Sequence, residues 1–344
     1  MKMKKLFFAA IAAVSMLFAS CAREMDETPV APAGDGEGSF VKISLTGGEA
    51  PKLKAASGTT VQAEPWEKTI NSLTVYAYNT ANGDFTRRVF TPEELSSMSA
   101  TFCLQASKPG DNCEFYAVAN LQTEVKSRSE LLALMENPNL YNGTFESVSV
   151  GALRPNGFLM SGKTAKTLTT DEAATTVNIT IRRTVAKFAF ETVILPEFYL
   201  KYPGSALRIN GARIVRGASA SFVIEQTEPA TVARNYSCQQ LPSLQSGKYR
   251  NLFYLFENGF TAYNDHVNLE IDATYDADGN FSTTSDQYPM TYEVDLGNET
   301  GMIFRNTYYL VQVNIAGLSG DKILVGIQVA DWEGAYDGTI DVGA

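Results

Sequence analysis

Residues 176–190 read TVNITIRRTVAKFAF, and the spacing of the apolar residues in this stretch indicates the fold class. Val177, Ile179 and Ile181 alternate with polar residues, which is the period of a β-strand with one buried face. Similar short runs recur along the chain and are separated by turns rich in glycine, asparagine, aspartate and proline. The pattern predicts an all-β protein made of sandwiches, with a minor helix near residues 127–136.

The strand pattern falls into two blocks that are separated by a polar stretch at residues 169–176. The first block opens with Val41, Ile43 and Leu45, which alternate with mostly polar residues. A chain of 344 residues is long enough for about two domains of ordinary size. The predicted domains are an N-terminal β-sandwich at residues 55–175 and a C-terminal β-sandwich at residues 176–333.

The N-terminus has the features of a secretory signal. Three lysines among the first five residues precede an apolar run at residues 6–18, and Ala-Ser-Cys follows, ending at Cys21. A cysteine at the cleavage point is typical of a bacterial lipobox, so we expect residues 1–20 to be removed and Cys21 to carry lipid (palmitate). The alternative is an ordinary signal peptide with an incidental cysteine. Residues 22–38 are polar and predict a flexible tether.

The chain is acidic, with 28 lysines and arginines against 38 aspartates and glutamates. Removal of the signal with its three lysines leaves 25 basic residues and a net charge of −13. A surface of this charge repels phosphate groups, which argues against nucleic acid and anionic lipid as partners.

Residue patterns typical of catalysis are scarce. His266 is the single histidine of the sequence and is predicted to be a surface or turn residue rather than a general base. The sequence has no G-x-S-x-G, no phosphate-binding loop and no dinucleotide fingerprint. We therefore predict a protein that is not an enzyme and that uses no cofactor.

The stretch Asp276-Ala-Asp-Gly-Asn begins like a calcium-binding loop. It has Phe281 where the sixth position requires glycine, and Gln287 where the twelfth requires an acidic ligand. A plain hairpin turn is therefore the preferred interpretation, and no metal site is predicted.

Cys103 and Cys113 flank the turn-rich stretch 107–112, which would place them opposite each other on a hairpin. Two alternatives are open for this pair. An oxidising periplasm would permit a disulfide, whereas two buried thiols would satisfy the sequence equally well.

The last eleven residues, 334–344, have a strand pattern, with Tyr336, Ile340 and Val342 on one face. At about 3.3 Å per residue the segment spans roughly 36 Å, enough to cross a sandwich. It is either a strand that is free to pair with another molecule or a terminal segment that folds back or frays.

Six segments, in this order, resemble the fimbrillin family of type V pilins from Gram-negative gut and oral anaerobes. They are Leu-Thr-Val-Tyr at 73–76 with Asn79, Tyr-Ala-Val-Ala-Asn at 116–120, Arg-Thr-Val-Ala-Lys-Phe at 183–188, Phe-Tyr-Leu-Phe-Glu-Asn at 253–258, Arg-Asn-Thr-Tyr-Tyr at 305–309 and Val-Ala-Asp-Trp at 329–332.

The resemblance implies two transthyretin-like β-sandwich domains with Greek-key-type connections. It also implies export as an outer-membrane lipoprotein, followed by cleavage of an N-terminal segment by a trypsin-like protease. The first strand then leaves, and the C-terminal strand of another subunit takes its place in a fimbrium on the cell surface that supports adhesion and biofilm formation. The implied partners are neighbouring pilin subunits, anchor and tip subunits and the processing protease.

On this chain the strand that leaves is the one with Val41, Ile43 and Leu45, within a propeptide at residues 21–54. The expected cleavage site is Lys54, with Lys52 as the alternative. The expected donor strand is 334–344, with Tyr336, Ile340 and Val342 as its apolar face. The leading hypothesis is a shaft subunit; the alternatives are a tip or anchor subunit of the same pilus, or a monomeric glycan-binding surface lipoprotein.

Overall fold

The computed structural model of the chain describes residues 38–47, 60–169, 174–227, 232–259, 262–297, 301–318 and 323–332. The strands in chain order are β1 (Ser39–Gly47), β2 (Thr60–Val61), β3 (Leu73–Asn79), β4 (Phe85–Val89), β5 (Ser99–Leu104), β6 (Asn112–Ala119), β7 (Met135–Glu136), β8 (Met160–Thr167), β9 (Thr175–Arg183), β10 (Val185–Ile194), β11 (Ala206–Gly217), β12 (Ser221–Phe222), β13 (Tyr236–Gln240), β14 (Ser243–Gln245), β15 (Lys248–Phe256), β16 (Asn268–Asp276), β17 (Gln287–Asp295), β18 (Thr307–Ile315) and β19 (Ile323–Trp332). The helices are α1 (Pro65–Lys68), α2 (Pro92–Ser97), α3 (Arg128–Ala133), α4 (Phe145–Val148) and α5 (Pro196–Lys201). This composition confirms the all-β prediction.

The first sandwich is a seven-stranded sheet of order β4-β3-β6-β8-β9-β1-β5 that folds over onto itself. β8 pairs with β6 along its whole length but with β9 only at Met160 and Ser161. β8 and β9 therefore diverge after these two residues. Where they diverge, the backbones of β8 and β9 are so close that a Cβ on Gly162 would lie 2.0 Å from the Thr180 carbonyl oxygen. The result is a four-stranded layer, β4-β3-β6-β8, facing a three-stranded layer, β9-β1-β5, across one hydrophobic core.

The second sandwich packs a six-stranded sheet, β14-β15-β10-β18-β19-β2, against a four-stranded sheet, β13-β11-β16-β17. β15 is buried on both faces. Phe253 and Leu255 lie in the core between the two sheets, whereas Tyr254 and Phe256 belong to the core of the first sandwich. A continuous apolar run is the sequence pattern of such a doubly buried strand. The two sandwiches therefore share hydrophobic packing.

The predicted boundary at residues 175 and 176 is wrong by one strand. β9 pairs in parallel with β1 from Val41–Thr175 to Gly47–Ile181, and so it belongs to the first sandwich. β10 opens the second sandwich after a single intervening residue, Thr184. No turn residues separate β9 from β10, whereas the polar stretch that suggested the boundary connects β8 to β9.

The predicted helix near residues 127–136 is present and shorter than expected. Its N-cap is Ser127, whose hydroxyl accepts a hydrogen bond from the Glu130 backbone N–H at 3.2 Å. α3 ends at residue 133 because the chain then extends into β7, which pairs with β12 of the second half of the chain. Leu131 packs with Tyr116 and its neighbours on the outer face of the first sandwich.

Candidate functional site

β1 is the middle strand of the three-stranded layer. It runs parallel to β9 over seven residue pairs and antiparallel to β5 over six, from Ser39–Leu104 to Ser44–Ser99. Within the described part of the chain β5 pairs with no other strand. β1 therefore connects β5 to the rest of the sheet through hydrogen bonds on both of its edges.

The inward side chains of β1 lie in the centre of the first core. Val41, Ile43 and Leu45 are each 0 % exposed, while Phe40 and Lys42 point outward. This confirms the predicted alternation along the strand. Burial of each inward side chain contributes about 1.5–3 kcal/mol relative to exposure.

The surroundings of β1 define a groove that we call the β1 groove. Its inner surface includes Val177, Ile179 and Ile181 on β9 and Ala100 and Leu104 on β5. Both neighbouring strands would present unpaired N–H and C=O groups if β1 were withdrawn, and such edges pair readily with other strands. A replacement strand would need β1's direction and an apolar side chain at alternate positions to restore both hydrogen-bond ladders.

The chain leaves β1 at residue 47 and reappears as β2 on the other sandwich. β2 pairs in parallel with β19 through Thr60–Asp331 and Val61–Trp332. The intervening segment contains the expected cleavage residues Lys52 and Lys54, and it lies outside the described residues. Lipidation and tail residues also lie outside the described part of the chain: Cys21, Tyr336, Ile340 and Val342.

A buried ionic cluster, the junction cluster, joins the two sandwiches beside this point. Its centre is Glu67 on α1, which is 0 % exposed. Lys187 Nζ lies 2.7 Å from Glu67 Oε1, and the hydroxyl of Tyr254 donates to the same oxygen at 2.6 Å. The indole N–H of Trp332 donates to Glu67 Oε2 at 3.3 Å. Burial, with the Glu67 charge beside it, raises the pKa of Tyr254 well above its ordinary value, so the hydroxyl remains a donor.

Arg183, at the end of β9, extends this cluster toward the β1 groove. Its guanidinium lies over the Trp332 ring, 4.1 Å from the centroid, and its Nε donates to the Glu67 carbonyl at 2.7 Å. Its Nη1 donates to Asn306 Oδ1 at 3.0 Å. The strand that borders the β1 groove is therefore held at one end by residues of the second sandwich.

A second buried ion pair lies where β12 meets β7. Arg305 is 1 % exposed and its Nε donates to Glu257 Oε2 at 2.7 Å, while Nη2 contacts Glu257 Oε1. Nη2 also donates to the carbonyl of Phe222 at 3.0 Å. Arg305 thus holds the β11–β13 connection to the second sandwich, while the β12–β7 pairing holds the same connection to the first.

The segments that resemble fimbrillins supply most of the charged and aromatic residues of these two ion-pair sites. These residues are Arg183, Lys187, Tyr254, Glu257, Arg305, Asn306 and Trp332. Glu67 was not singled out from the sequence. The available signal was Pro65 followed by Glu67 at the third helical position, a pattern that forms a capping box with Glu64. In each site a carboxylate pairs with a buried cation, Glu67 with Lys187 and Glu257 with Arg305, which suits a rigid structural joint.

The expected hairpin between Cys103 and Cys113 is wrong. Cys103 lies on β5, which pairs with β1, whereas Cys113 lies on β6, which pairs with β3 and β8. The turn at 107–112 thus crosses between the two layers of the sandwich. The structure has both residues as thiols rather than as a disulfide, but only Cys113 is buried and Cys103 is half-buried.

We expect Cys113 and Cys238 to react slowly with iodoacetamide in the folded protein near pH 8. Burial raises the pKa of the Cys113 thiol and raises that of Cys238 to about 11, so the reactive thiolate is scarce. Intact mass after native labelling should lack both adducts, and labelling in urea should add them. Rapid native labelling of Cys113, or a disulfide in the purified chain, would contradict the structure.

His266 was expected to be a surface or turn residue: it does lie in a bend just before β16, but the expectation of a surface position is wrong, because the side chain is buried. It is 2 % exposed, and its Nδ1 lies 2.8 Å from Asp295 Oδ2. A Cβ on Gly297 would lie 2.6 Å from the ring, so the backbone packs directly on the imidazole. The pair connects the start of β16 to the end of β17, which is a structural role.

Among the described residues, no helix combines the length and the apolar character that crossing a membrane requires. A comparison with curated protein sequences gives no match. Solved structures with the same fold include a fimbrilin from Porphyromonas gingivalis W83, which is 17 % identical, with 86 % of this chain and 98 % of that chain covered and a TM-score of 0.54. They also include the tip fimbrial protein Mfa3 of Porphyromonas gingivalis with a C-terminal truncation, which is 15 % identical, with 85 % and 100 % covered and a TM-score of 0.52.

These two likenesses confirm the fold, two β-sandwich domains of the fimbrilin type. The evidence for family membership comes from the sequence itself. Residues 39–211 match the family model described as major fimbrial subunit protein (FimA), and this match spans half of the chain. It begins at the first residue of β1 and extends into β11. The chain belongs to the FimA family of major fimbrial subunit proteins.

Proposed function

We propose that this chain is a structural subunit of a type V pilus that is exported as a lipoprotein, cleaved once and polymerised by strand exchange. Lipid on Cys21 would hold the precursor at the outer membrane. Cleavage at Lys54, or at Lys52, would separate β1 from the rest of the chain. The donor strand 334–344 of a neighbouring subunit would then occupy the β1 groove in a fimbrium on the cell surface.

The observation that carries this proposal is the position of β1. β1 lies between β9 and β5, it places three fully buried side chains in the core, and the rest of the described chain follows it in sequence. One cut after residue 47 and before β2 would therefore release a complete inner strand. No other element would have to be cut.

The donor that best fits the groove is a strand with alternating apolar residues. Tyr336, Ile340 and Val342 offer such a face, as Val41 and Ile43 do on β1. Each ladder hydrogen bond adds about 0.5–1.5 kcal/mol to the burial of these side chains. The exchange would give a joint of high stability because both ladders and the core are restored together.

The junction cluster supports the proposal in a different way. It ties β9 and α1 to the second sandwich through Arg183 and Glu67. β2 pairs with β19, so the chain just after the cleavage segment stays attached when β1 leaves. The subunit would therefore keep its two-sandwich shape while the β1 groove is open.

The test is limited trypsin digestion of the purified chain without its signal, followed by intact mass and SDS-resistant laddering. We expect a cut at Lys54 or Lys52 and the appearance of ladders. Deletion of 334–344 should abolish the ladders and leave the cut in place. A Lys52→Ala/Lys54→Ala variant should show neither the cut nor the ladders. The matched variant Lys126→Ala, at an exposed loop lysine that is followed by serine, should behave like the parent.

The other outcomes separate the alternatives. Cutting without ladders would favour a tip subunit over a shaft subunit. A monomer that resists trypsin at both lysines would contradict processing and favour an anchor subunit or a glycan-binding lipoprotein. The two tryptophans give the glycan-binding alternative no support, because Trp332 is 0 % exposed and Trp66 packs against the first core.

A further inference from the structure

Asp276, the last residue of β16, is a buried carboxylate that has no hydrogen-bond partner among the described residues. Its exposed fraction is 0 %, and neither carboxylate oxygen has a hydrogen-bond donor within the part of the chain that the structure describes. An ionised carboxylate that is buried alone is strongly disfavoured. A compensating positive charge beside the carboxylate would remove this cost.

Two further carboxylates converge on Asp276 from the β16–β17 loop. One oxygen each of Asp276, Asp278 and Asp286 lies within 4.8 Å of the other two. In the described ranges no lysine or arginine forms a salt bridge with any of the three. Three negative charges at this distance repel one another, so the cluster needs a positive charge among them.

The loop holds these carboxylates in place: both oxygens of Asp286 accept hydrogen bonds, Oδ1 from the Thr283 hydroxyl at 3.4 Å, while both oxygens of Asp276 accept none from the described residues. Asp286 Oδ2 accepts from the Asp278 backbone N–H at 3.1 Å, and Asp278 Oδ1 accepts from the Asn280 N–H at 2.8 Å. Gly279 has φ +74°, and a Cβ there would lie 2.7 Å from the Gly204 carbonyl oxygen. The loop is thus packed against the turn after α5, and its carboxylates are positioned before any ligand arrives.

We infer that Asp276, Asp278 and Asp286 form a Ca²⁺-binding site at the β16–β17 hairpin. Ca²⁺ prefers oxygen ligands at about 2.3–2.6 Å and tolerates irregular geometry, so two oxygens on one ion are at most about 5 Å apart. Mg²⁺ requires a near-ideal octahedron at about 2.0–2.1 Å, and an irregular set of three carboxylates suits it less well.

This site differs from a calcium-binding loop of twelve consecutive residues, whose sixth and twelfth positions the sequence does not match. The predicted hairpin turn is confirmed, because Asp276 and Gln287 form the last pair of the β16–β17 ladder. The third carboxylate comes from Asp286 at the far end of the loop, next to the returning strand. The three carboxylates would hold the ion between the two ends of the hairpin loop, whereas a calcium-binding loop holds it with ligands spread along twelve consecutive residues. The site is independent of strand exchange at the β1 groove.

The site is expected to respond to extracellular concentrations of calcium. Modules of this kind bind Ca²⁺ with dissociation constants of about 10⁻⁴–10⁻³ M. At about 10 mM CaCl₂ the calcium-free chain should therefore gain about 3–8 °C in melting temperature, because the ion binds the folded state alone. MgCl₂ at the same concentration should give a clearly smaller shift.

The experiment compares the full chain without its signal with three variants, by thermal melting and by calorimetric titration with CaCl₂ after treatment with EDTA. Asp276→Asn and Asp278→Asn should each weaken binding at least tenfold and remove most of the thermal shift. Asp278 is exposed, so its variant folds even where Asp276→Asn does not. The control is Asp272→Asn. Asp272 lies on the same strand as Asp276 and accepts a hydrogen bond from the Thr291 hydroxyl at 3.3 Å, so this variant should respond to CaCl₂ like the parent.

The inference is overturned if CaCl₂ leaves the melting temperature of the parent unchanged. It is also overturned if Asp278→Asn keeps the full calcium response. An equal response to MgCl₂ would contradict the assignment to Ca²⁺.

Discussion

The Glu67→Ala variant will unfold at a much lower urea concentration than the parent protein. Glu67 is completely buried and pairs with Lys187, which is 8 % exposed. Removing one partner leaves the other charge buried and uncompensated, which costs about 3–5 kcal/mol. Tryptophan fluorescence during urea unfolding measures the change, because Trp332 donates directly to Glu67.

Two further variants make this prediction specific. Glu67→Leu combined with Lys187→Met removes both charges and should recover at least half of the loss. Glu225→Ala removes an exposed partner of Arg182 at 3.8 Å and should cost about 1 kcal/mol or less. A loss below about 1 kcal/mol for Glu67→Ala would show that the junction cluster does not hold the sandwiches together.

The Ile43→Ala variant will destabilise the precursor by about 2–5 kcal/mol and leave the processed subunit unaffected. Ile43 is 0 % exposed at the centre of the first core, so truncation leaves a cavity there. The cleaved subunit begins after this residue and has the same sequence in both proteins. Urea unfolding of the intact precursor, and of the processed subunit after its β1 peptide has been removed, measure the two halves of the prediction.

Lys42→Ala is the matched control for Ile43→Ala, because Lys42 lies on the outward face of the same strand. Its effect on stability should stay within about 0.5 kcal/mol. We expect ladders to form faster with Ile43→Ala than with the parent, since a weaker β1 leaves its groove sooner. Equal unfolding midpoints for Ile43→Ala and the parent would contradict the burial of β1 in the core.

Strand alternation was the part of the fold that could be predicted well. β1 and β9 each bury one face, and a period of two is visible in their sequences without knowledge of their partners. The boundary between the sandwiches could not be predicted in the same way. Thr184 alone separates β9 from β10, and sheet membership depends on pairing with β1, more than 100 residues earlier in the chain.

The roles of the site residues were likewise hard to predict where they depend on partners that are distant in the sequence. Cys103 and Cys113 are close in sequence, which suggested a hairpin, yet their strands pair with different neighbours. Glu67 looked like an ordinary helix-start residue, and only its distant partner Lys187 shows its importance. Asp286 could not be connected to Asp276 from spacing alone, because the hairpin register brings them together. Contacts between distant segments, not local propensity, decide each of these cases.

The proposed strand exchange requires that β1 leave its groove before subunits join, and a reversible lock on β1 tests this requirement. Phe40 faces Cys103 across the β1–β5 ladder, and facing residues of antiparallel strands have Cα atoms about 4.5–5.5 Å apart, which a disulfide can span. Phe40→Cys in a Cys21→Ser background would therefore bond β1 to β5, with Phe40→Ser as the matched control.

After trypsin treatment without reductant, we predict that the oxidised Phe40→Cys protein keeps its β1 fragment and stays monomeric, as seen by non-reducing mass spectrometry and size-exclusion chromatography. Addition of dithiothreitol should release the fragment and start polymerisation, while Phe40→Ser should polymerise under both conditions. Polymerisation of the locked protein at the rate of the reduced protein would contradict the account.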